Sequence, residues 1–294
     1  MKMKSVLIPL EVYGTAGRML PAVAEIARLG IEEAELLHVE TELMHVINVP
    51  ETADDSDIYE SDDQVLKGWK SNIEDCGVSK VEYEVLKGIP WIEILEKAEN
   101  NPPSLIVMGS HGKTLIPRML LGSQTENVLH HTDVPLLILR LSVMKKGDPE
   151  SCTINSDLFR RVLYLTDFSE EAKRCIPFIE WMASAKPDQL VILHVQDTRR
   201  LWPATQEQIN EFNEKDTRRL AELKEQMNNY GISQIVTELV TGNAIDEILG
   251  VADSFKPTII VMGAKGRTGA LKALLGGVAE AVVHRADAHV LVVR

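Results

Sequence analysis

Four apolar segments of this chain occur twice in the same order, and that repetition limits what it can fold into more than any other feature. Val6-Leu7-Ile8-Pro9-Leu10-Glu11 aligns with Val162-Leu163-Tyr164-Leu165-Thr166-Asp167, and Leu36-Leu37-His38-Val39 with Ile192-Leu193-His194-Val195, both at an offset of 156 residues. Leu105-Ile106-Val107-Met108-Gly109 aligns with Ile259-Ile260-Val261-Met262-Gly263, and Leu136-Leu137-Ile138-Leu139-Arg140 with Val290-Leu291-Val292-Val293-Arg294, both at an offset of 154. A period this long is a whole domain, so the chain reads as a duplicated domain and not as a solenoid. The length of 294 residues suits two such units. The expected domains are 1–141 and 158–294. The segment 142–157 is polar and broken by Gly147 and Pro149, which marks a linker.

Each copy alternates short β-branched apolar runs with longer amphipathic stretches. Continuous apolar runs suit strands buried on both faces of a parallel sheet. Ile92, Leu95 and Ala98 share one helical face after Pro90, and Leu220, Leu223 and Met227 share another. The expected fold class is therefore α/β, with two tandem doubly wound five-stranded parallel-sheet domains. Strands are expected near 5–9, 33–39, 80–86, 105–109 and 135–140, and near 161–165, 189–195, 234–240, 258–262 and 289–294.

The chemistry-bearing segment follows the fourth strand of each copy. Copy one has Gly109-Ser110-His111-Gly112, nine further residues, then Gly122-Ser123; copy two has Gly263-Ala264-Lys265-Gly266, nine further residues, then Gly276-Gly277. Glycine lets backbone amides approach a phosphate closely and permits positive φ. The second glycine pair opens a stretch of helical character, and a helix N-terminus offers free N–H groups to an anion. Ser123 adds a hydroxyl, and Lys113 and Arg267 add positive charge. Gly112-Lys113-Thr114 imitates the end of a P-loop, but Val107 stands where that motif needs glycine. No G-x-G-x-x-G follows the first strand of either copy, which argues against a dinucleotide fold.

The net charge is −13, from 44 acidic and 31 basic residues. Such a surface repels nucleic acid and anionic lipid, whose binding depends on neutralising phosphates. Cys76, Cys152 and Cys175 form no C-x-x-C pair and read as reduced thiols, so the expected location is the cytoplasm. The opening apolar run is too short for a signal-peptide core and reads as a strand.

The spacing Gly-x2-Gly-x9-Gly-Ser after a strand ending in Met-Gly, the His-Val ends of the second strands, the run Tyr164 to Ser169 and the stretch Gly122-Ser123-Gln124-Thr125-Glu126-Asn127-Val128 before Val134-Pro135 together resemble the universal stress protein family in its tandem form. The resemblance spans nearly the whole chain except the linker and residues 48–65. It implies an adenine-nucleotide alpha-hydrolase-like fold, with the C-terminal edge strands pairing so that the copies form an internal pseudo-dimer about an approximate two-fold axis. A further homodimer and an unknown protein partner are compatible with it. It also implies that ATP, ADP or AMP binds at the carboxyl ends of the strands. The acidic residue after the first strand then contacts the adenosine, backbone at the valine after the second-strand histidine reads the adenine edge, and the glycine loop holds the phosphates. The implied set in copy one is Pro9, Leu10, Glu11, Val39, Met108, Gly109, His111, Gly112, Lys113, Gly122, Ser123 and Gln124. In copy two it is Leu165, Thr166, Asp167, Val195, Met262, Gly263, Lys265, Gly266, Arg267, Gly276, Gly277 and Val278. Each copy departs from the family pattern once: Glu11 replaces the usual aspartate, and Gly277 replaces serine or threonine.

Plainer readings stand beside these. The glycine loops also serve as tight turns, and Glu11 and Asp167 as helix N-caps. His38 and His194 read as structural. His111, His130 and His131 lack supporting ligands at metal-binding spacing, so no metal is expected. The acidic run Glu51 to Asp63 reads as a solvated loop or the start of a helix ending near Cys76, with a lid or partner-binding role as the alternative. No nucleophile with a base and an orienting third group is evident, so the expected function is a nucleotide-binding stress-response or regulatory protein. The alternatives are a slow ATPase or phosphotransferase using Glu11 or Asp167 with Mg²⁺, and a nucleotide-free interaction module. An adenylate-forming or pyrophosphatase-type relative would need a Ser-Gly-Gly loop or a His-x-Gly-His motif, and neither is present.

Overall fold

A computed structural model describes residues 3–12, 16–41, 55–110, 121–141, 157–201, 205–266 and 275–294. The chain separates into two compact units, Lys2–Ser156 and Asp157–Arg294. The expected linker, 142–157, lies outside the described residues except for Asp157.

The first unit runs β1 (Ser5–Pro9), a 3₁₀ turn (Ala16–Arg18), α1 (Leu20–Ala27), β2 (Glu33–Glu40), α2 (Asp55–Asp75), β3 (Lys80–Lys87), α3 (Pro90–Asn100), β4 (Leu105–Gly109), α4 (Ser123–His131) and β5 (Leu136–Leu139). Its strands are parallel in the order β3-β2-β1-β4-β5. The second unit runs β6 (Arg161–Leu165), α5 (Glu170–Lys173), α6 (Ile176–Ala183), β7 (Gln189–Asp197), α7 (Thr198–Leu201), α8 (Gln206–Asn228), β8 (Ile235–Gly242), α9 (Ala244–Phe255), β9 (Ile259–Gly263), α10 (Gly277–Arg285) and β10 (His289–Val293). Its order, β8-β7-β6-β9-β10, repeats the first.

This order follows from the apolar runs. Leu105 to Val107 and Leu136 to Leu139 are buried along their length, as strands covered on both faces must be. The outer strands β3 and β8 are only half-buried and carry Glu82, Glu84 and Glu238. Against them lie the long polar helices α2 and α8. Asp62, Leu66, Trp69 and Ile73 of α2 turn inward, spaced as one helical face requires. In α8 the buried set is Asp216, Leu220 and Met227, so a carboxylate sits on the apolar face. In α3 the buried residues are Ile94 and Ala98, whereas Ile92 and Leu95 are half-buried, which rotates the expected face toward Ile94. The acidic run is helical from Asp55 onward, and residues 42–54 lie outside the described set.

The starts of α5, α8 and α9 are set by side chains. The Thr205 hydroxyl accepts the Gln208 N–H at 3.3 Å while the Gln208 side chain accepts the Thr205 N–H at 2.9 Å, a capping box. The Asn243 carbonyl oxygen caps α9 by accepting from Ile245 and Asp246. Among the described residues no helix is long and apolar enough to cross a membrane.

Candidate functional site

In each unit the first strand sits where the sheet order reverses, flanked by the second strand on one side and the fourth on the other. A crevice opens at the carboxyl ends of strands at such a point, and ligands of doubly wound sheets bind there. The backbone at this crevice is arranged alike in both units. Leu37 accepts the Leu10 N–H at 2.8 Å and Glu40 accepts the Gly88 N–H at 3.0 Å. Main-chain polar groups alternate sides along a strand, so Val39 turns its N–H and C=O toward the β1 side, past the end of that strand. In the second unit Leu193 accepts the Thr166 N–H at 2.9 Å, and Val195 faces past the end of β6 in the same way.

The acidic residue enters from the end of the first strand. The Asp167 Oδ1 accepts the Ser169 N–H at 3.0 Å. The helix cap is Ser169, whose hydroxyl accepts the Ala172 N–H at 3.2 Å, so Asp167 is not an N-cap. Between them Phe168 adopts φ 61°, a left-handed conformation that costs a bulky residue about 1–3 kcal/mol. Its N–H donates to the Thr166 hydroxyl at 3.1 Å.

The glycine loop meets this carboxylate. A Cβ added to Gly266 would stand 2.8 Å from Asp167 Oδ2, so the loop backbone lies directly against the acid. A Cβ on Gly263 would approach the backbone of Glu171 at 3.2 Å, and one on Gly276 the Ala264 carbonyl at 3.2 Å. Among the described residues none of the loop glycines uses the positive φ that glycine permits. Gly263, Gly266 and Gly276 instead leave space where a Cβ would crowd its neighbours, whereas one on Gly277 would meet nothing within 4 Å. The Gly276 N–H donates to the Ala264 carbonyl at 2.8 Å, folding the start of α10 back over the loop. The first unit repeats the fold-back: the Gly122 N–H donates to the Ser110 carbonyl at 2.7 Å, and the Thr125 hydroxyl to the Gly109 carbonyl at 2.8 Å. The helices α4 and α10 begin at Ser123 and Gly277, with Gly122 and Gly276 as N-caps that offer no side-chain bond. Free N–H groups at such a start suit an anion.

Several expected site residues support this crevice from within the sheet. Leu10, Met108, Leu165, Thr166 and Met262 are buried. Ser123, Gln124 and Gly277 are exposed at the helix starts, and Val278 and Lys265 are half-buried. The Gln124 Oε1 accepts the Trp91 N–H at 3.1 Å, tying α4 to the start of α3. His111, Gly112, Lys113 and Arg267 lie outside the described residues.

His38 and His194 hold the crevice from behind. Their Nδ1 atoms lie 3.0 Å from the Leu10 carbonyl and 2.7 Å from the Thr166 carbonyl. A carbonyl only accepts, so each Nδ1 carries the proton. Their Nε2 atoms lie 3.4 Å from Asp62 Oδ2 and Asp216 Oδ2, on α2 and α8. Sequence reasoning marked the histidines as structural but missed the aspartates. The signal was present as an offset: Asp62 and Asp216 stand 154 residues apart. Among the described residues no group of three or more His, Cys, Asp or Glu side chains suits a metal ion.

A tandem pair of parallel α/β units, each with a glycine-spaced loop and a helix start at its switch point, defines the class. The sequence model of the universal stress protein family matches residues 19–140 and again 158–294, and the chain belongs to that family. A universal stress protein of Methanocaldococcus jannaschii is 32% identical over 154 residues, covering 47% of this chain and 94% of its own length. One from Bacillus subtilis is 28% identical over 144 residues, covering 46% and 97%. The crystal structure of a universal stress protein from Archaeoglobus fulgidus superposes with a TM-score of 0.72 at 25% identity and covers 100% of this chain and 99% of its own. The first two relatives match the span of a single copy, whereas the third matches the whole tandem chain.

Proposed function

We propose that the chain is a regulatory protein that binds an adenine nucleotide at the carboxyl-end crevice of each unit. The observation that carries this reading is the meeting of three groups at one place in the second unit. They are the Asp167 carboxylate, the backbone of Gly266 against it, and the start of α10 folded back through Gly276. The acid suits the ribose hydroxyls as a hydrogen-bond acceptor. The glycine backbone leaves room for phosphate oxygens, and the helix start supplies N–H donors with a favourable dipole. Val39 and Val195, turned past the ends of β1 and β6, offer a main-chain donor and acceptor to the adenine edge.

Binding and not turnover is the activity this constellation favours. Phosphoryl transfer needs carboxylates that hold metal ions near the phosphates, and neither loop, 109–123 or 263–277, contains an acidic residue. Any Mg²⁺ at the site would then arrive with ATP.

Mass spectrometry of small molecules released from the purified chain, followed by ATP titration, tests the reading. One or two equivalents of ATP, ADP or AMP per chain are expected. A chain that is empty as purified and fails to bind millimolar ATP sinks it and leaves a nucleotide-free interaction module in front. Gly266→Val is expected to remove one equivalent, because the added side chain collides with the Asp167 carboxylate.

A further inference from the structure

The helix α8 reaches past the sheet on the side of the crevice. Its first buried residue is Asp216, whose Oδ2 lies 3.4 Å from His194 Nε2 and accepts the Gln196 Nε2–H at 3.0 Å. Both partners stand among the last four residues of β7, so Asp216 is level with the carboxyl end of that strand. A helix that joins two parallel strands runs back along the sheet. The residues before Asp216 therefore stand beyond the strand ends. None of residues 206–215 is buried, and they span about 15 Å of helix. The capping box of Thr205 and Gln208 holds this upper half at its start.

The apolar stripe of α8 continues into the upper half. Ile209 and Phe212 lie on the helical face that carries Asp216, Leu220 and Met227. Phe212 is nevertheless 41% exposed. Arg219 shows which way this edge of the helix points. Its guanidinium sits over the Phe168 ring at 5.1 Å, and Phe168 directly follows Asp167. Phe212 precedes Arg219 by seven residues, so it shares that edge about 10 Å nearer the helix start. The ring thus overlooks the crevice from the α8 side of the sheet.

A base that pairs its edge with the Val195 N–H and C=O lies in the plane of the sheet, where a continuation of β6 would lie. One of its faces then looks toward α8. We infer that Phe212 stacks on that face, and that the upper half of α8 is the wall of the base pocket in the second unit. The inference rests on the nucleotide-binding reading and adds to it the element that covers the base. Stacking on an aromatic ring is blind to which base is bound, since every base has a π-face. Phe212 accordingly supplies affinity, and the Val195 main chain supplies choice. The ring is exposed in the free chain and is covered when the base arrives.

Calorimetric titration of the full chain with ATP is the test. Phe212→Ala is expected to weaken one of the two equivalents about tenfold, the scale of one base–aromatic stack. Phe212→Trp should restore it. In a Gly266→Val chain, where the second site is already lost, Phe212→Ala should leave the remaining equivalent unchanged. Displacement of bound ATP by inorganic tripolyphosphate separates the base from the phosphates. Phe212→Ala should lower the tripolyphosphate needed at that site about tenfold, because only ATP loses a contact. The denaturation midpoint of Phe212→Ala should match the wild type, since the ring is exposed. Unchanged ATP affinity in Phe212→Ala, or Phe212→Trp binding as weakly as Phe212→Ala, overturns the inference and leaves nucleotide binding standing. A wild-type chain that binds no ATP overturns both.

Discussion

At the scale of single residues, the site depends on small atoms in tight places. Gly266 is required because a Cβ would meet the Asp167 carboxylate, and Ser169 because its hydroxyl starts α5 directly behind that acid. Beneath them lie Cys175, wholly buried, and Tyr164, whose hydroxyl donates to the Ala172 carbonyl at 2.7 Å. Burial pushes the Cys175 thiol and the Tyr164 phenol well above their ordinary ranges, and the charge of Asp167 adds to both effects. A group whose folded-state pKa is raised stabilises the fold below its unfolded value, and that stability is lost as pH rises. The unfolded thiol ionises near pH ~8.5 and the unfolded phenol near ~10. The denaturation midpoint is therefore expected to be flat through neutrality and to fall above pH ~9. Cys175→Ala, though less stable at the outset, should show a shallower decline over the first part of that range. A wild-type midpoint level to pH 10.5 would contradict the assignment.

At the scale of elements, the helices that follow the second strands have the most consequential placement. Both α2 and α8 are polar overall and pack through a narrow apolar stripe, and α8 adds a capping box at its start. The same helices carry Asp62 and Asp216 to the histidines behind the crevice. The neighbouring α9 is capped by Asn243. Asn243→Ala removes the side-chain acceptor for two N–H groups of α9 and is expected to cost about 1 kcal/mol, read as a lowered denaturation midpoint. Asn243→Asp, which keeps the acceptor, should recover most of it. Beyond their shared offset of 154 residues, the burial of the aspartates against the histidines was not legible in the sequence. A single carboxylate within an apolar stripe has no period of its own, and only the packing of α2 and α8 on the sheet shows that each meets a histidine. The glycines were legible as a loop, but the reason for them was not: spacing does not reveal whether a glycine is needed for its φ or for the space it leaves.

At the scale of the whole molecule, the two units share a strand order and differ in the acid that follows the first strand, Glu11 in one and Asp167 in the other. Each has a core of its own, with Leu7 and Ile8 at the centre of one and Leu163 and Tyr164 at the centre of the other. Leu163→Ala, at a wholly buried position, is expected to destabilise its unit by about 2–5 kcal/mol. Amide exchange should then accelerate through β6 to β10. Unchanged protection there would show that the unit does not depend on a single core.

Duplication, the parallel α/β architecture and the glycine-loop positions follow from the sequence alone, because apolar periodicity and motif spacing survive as patterns along the chain. What the tertiary structure decided is which polar residues meet. Thr166 and His194 are 28 residues apart, and Asp216 lies 22 further on; only parallel strand pairing and a crossover helix bring them into contact. Hydrogen bonds act over about 3 Å, and no distance along a sequence specifies a distance that short. The same limit hid the role of Gln196. This residue reads as an ordinary strand-end glutamine until the fold sets it beside the buried Asp216, to which its amide donates at 3.0 Å.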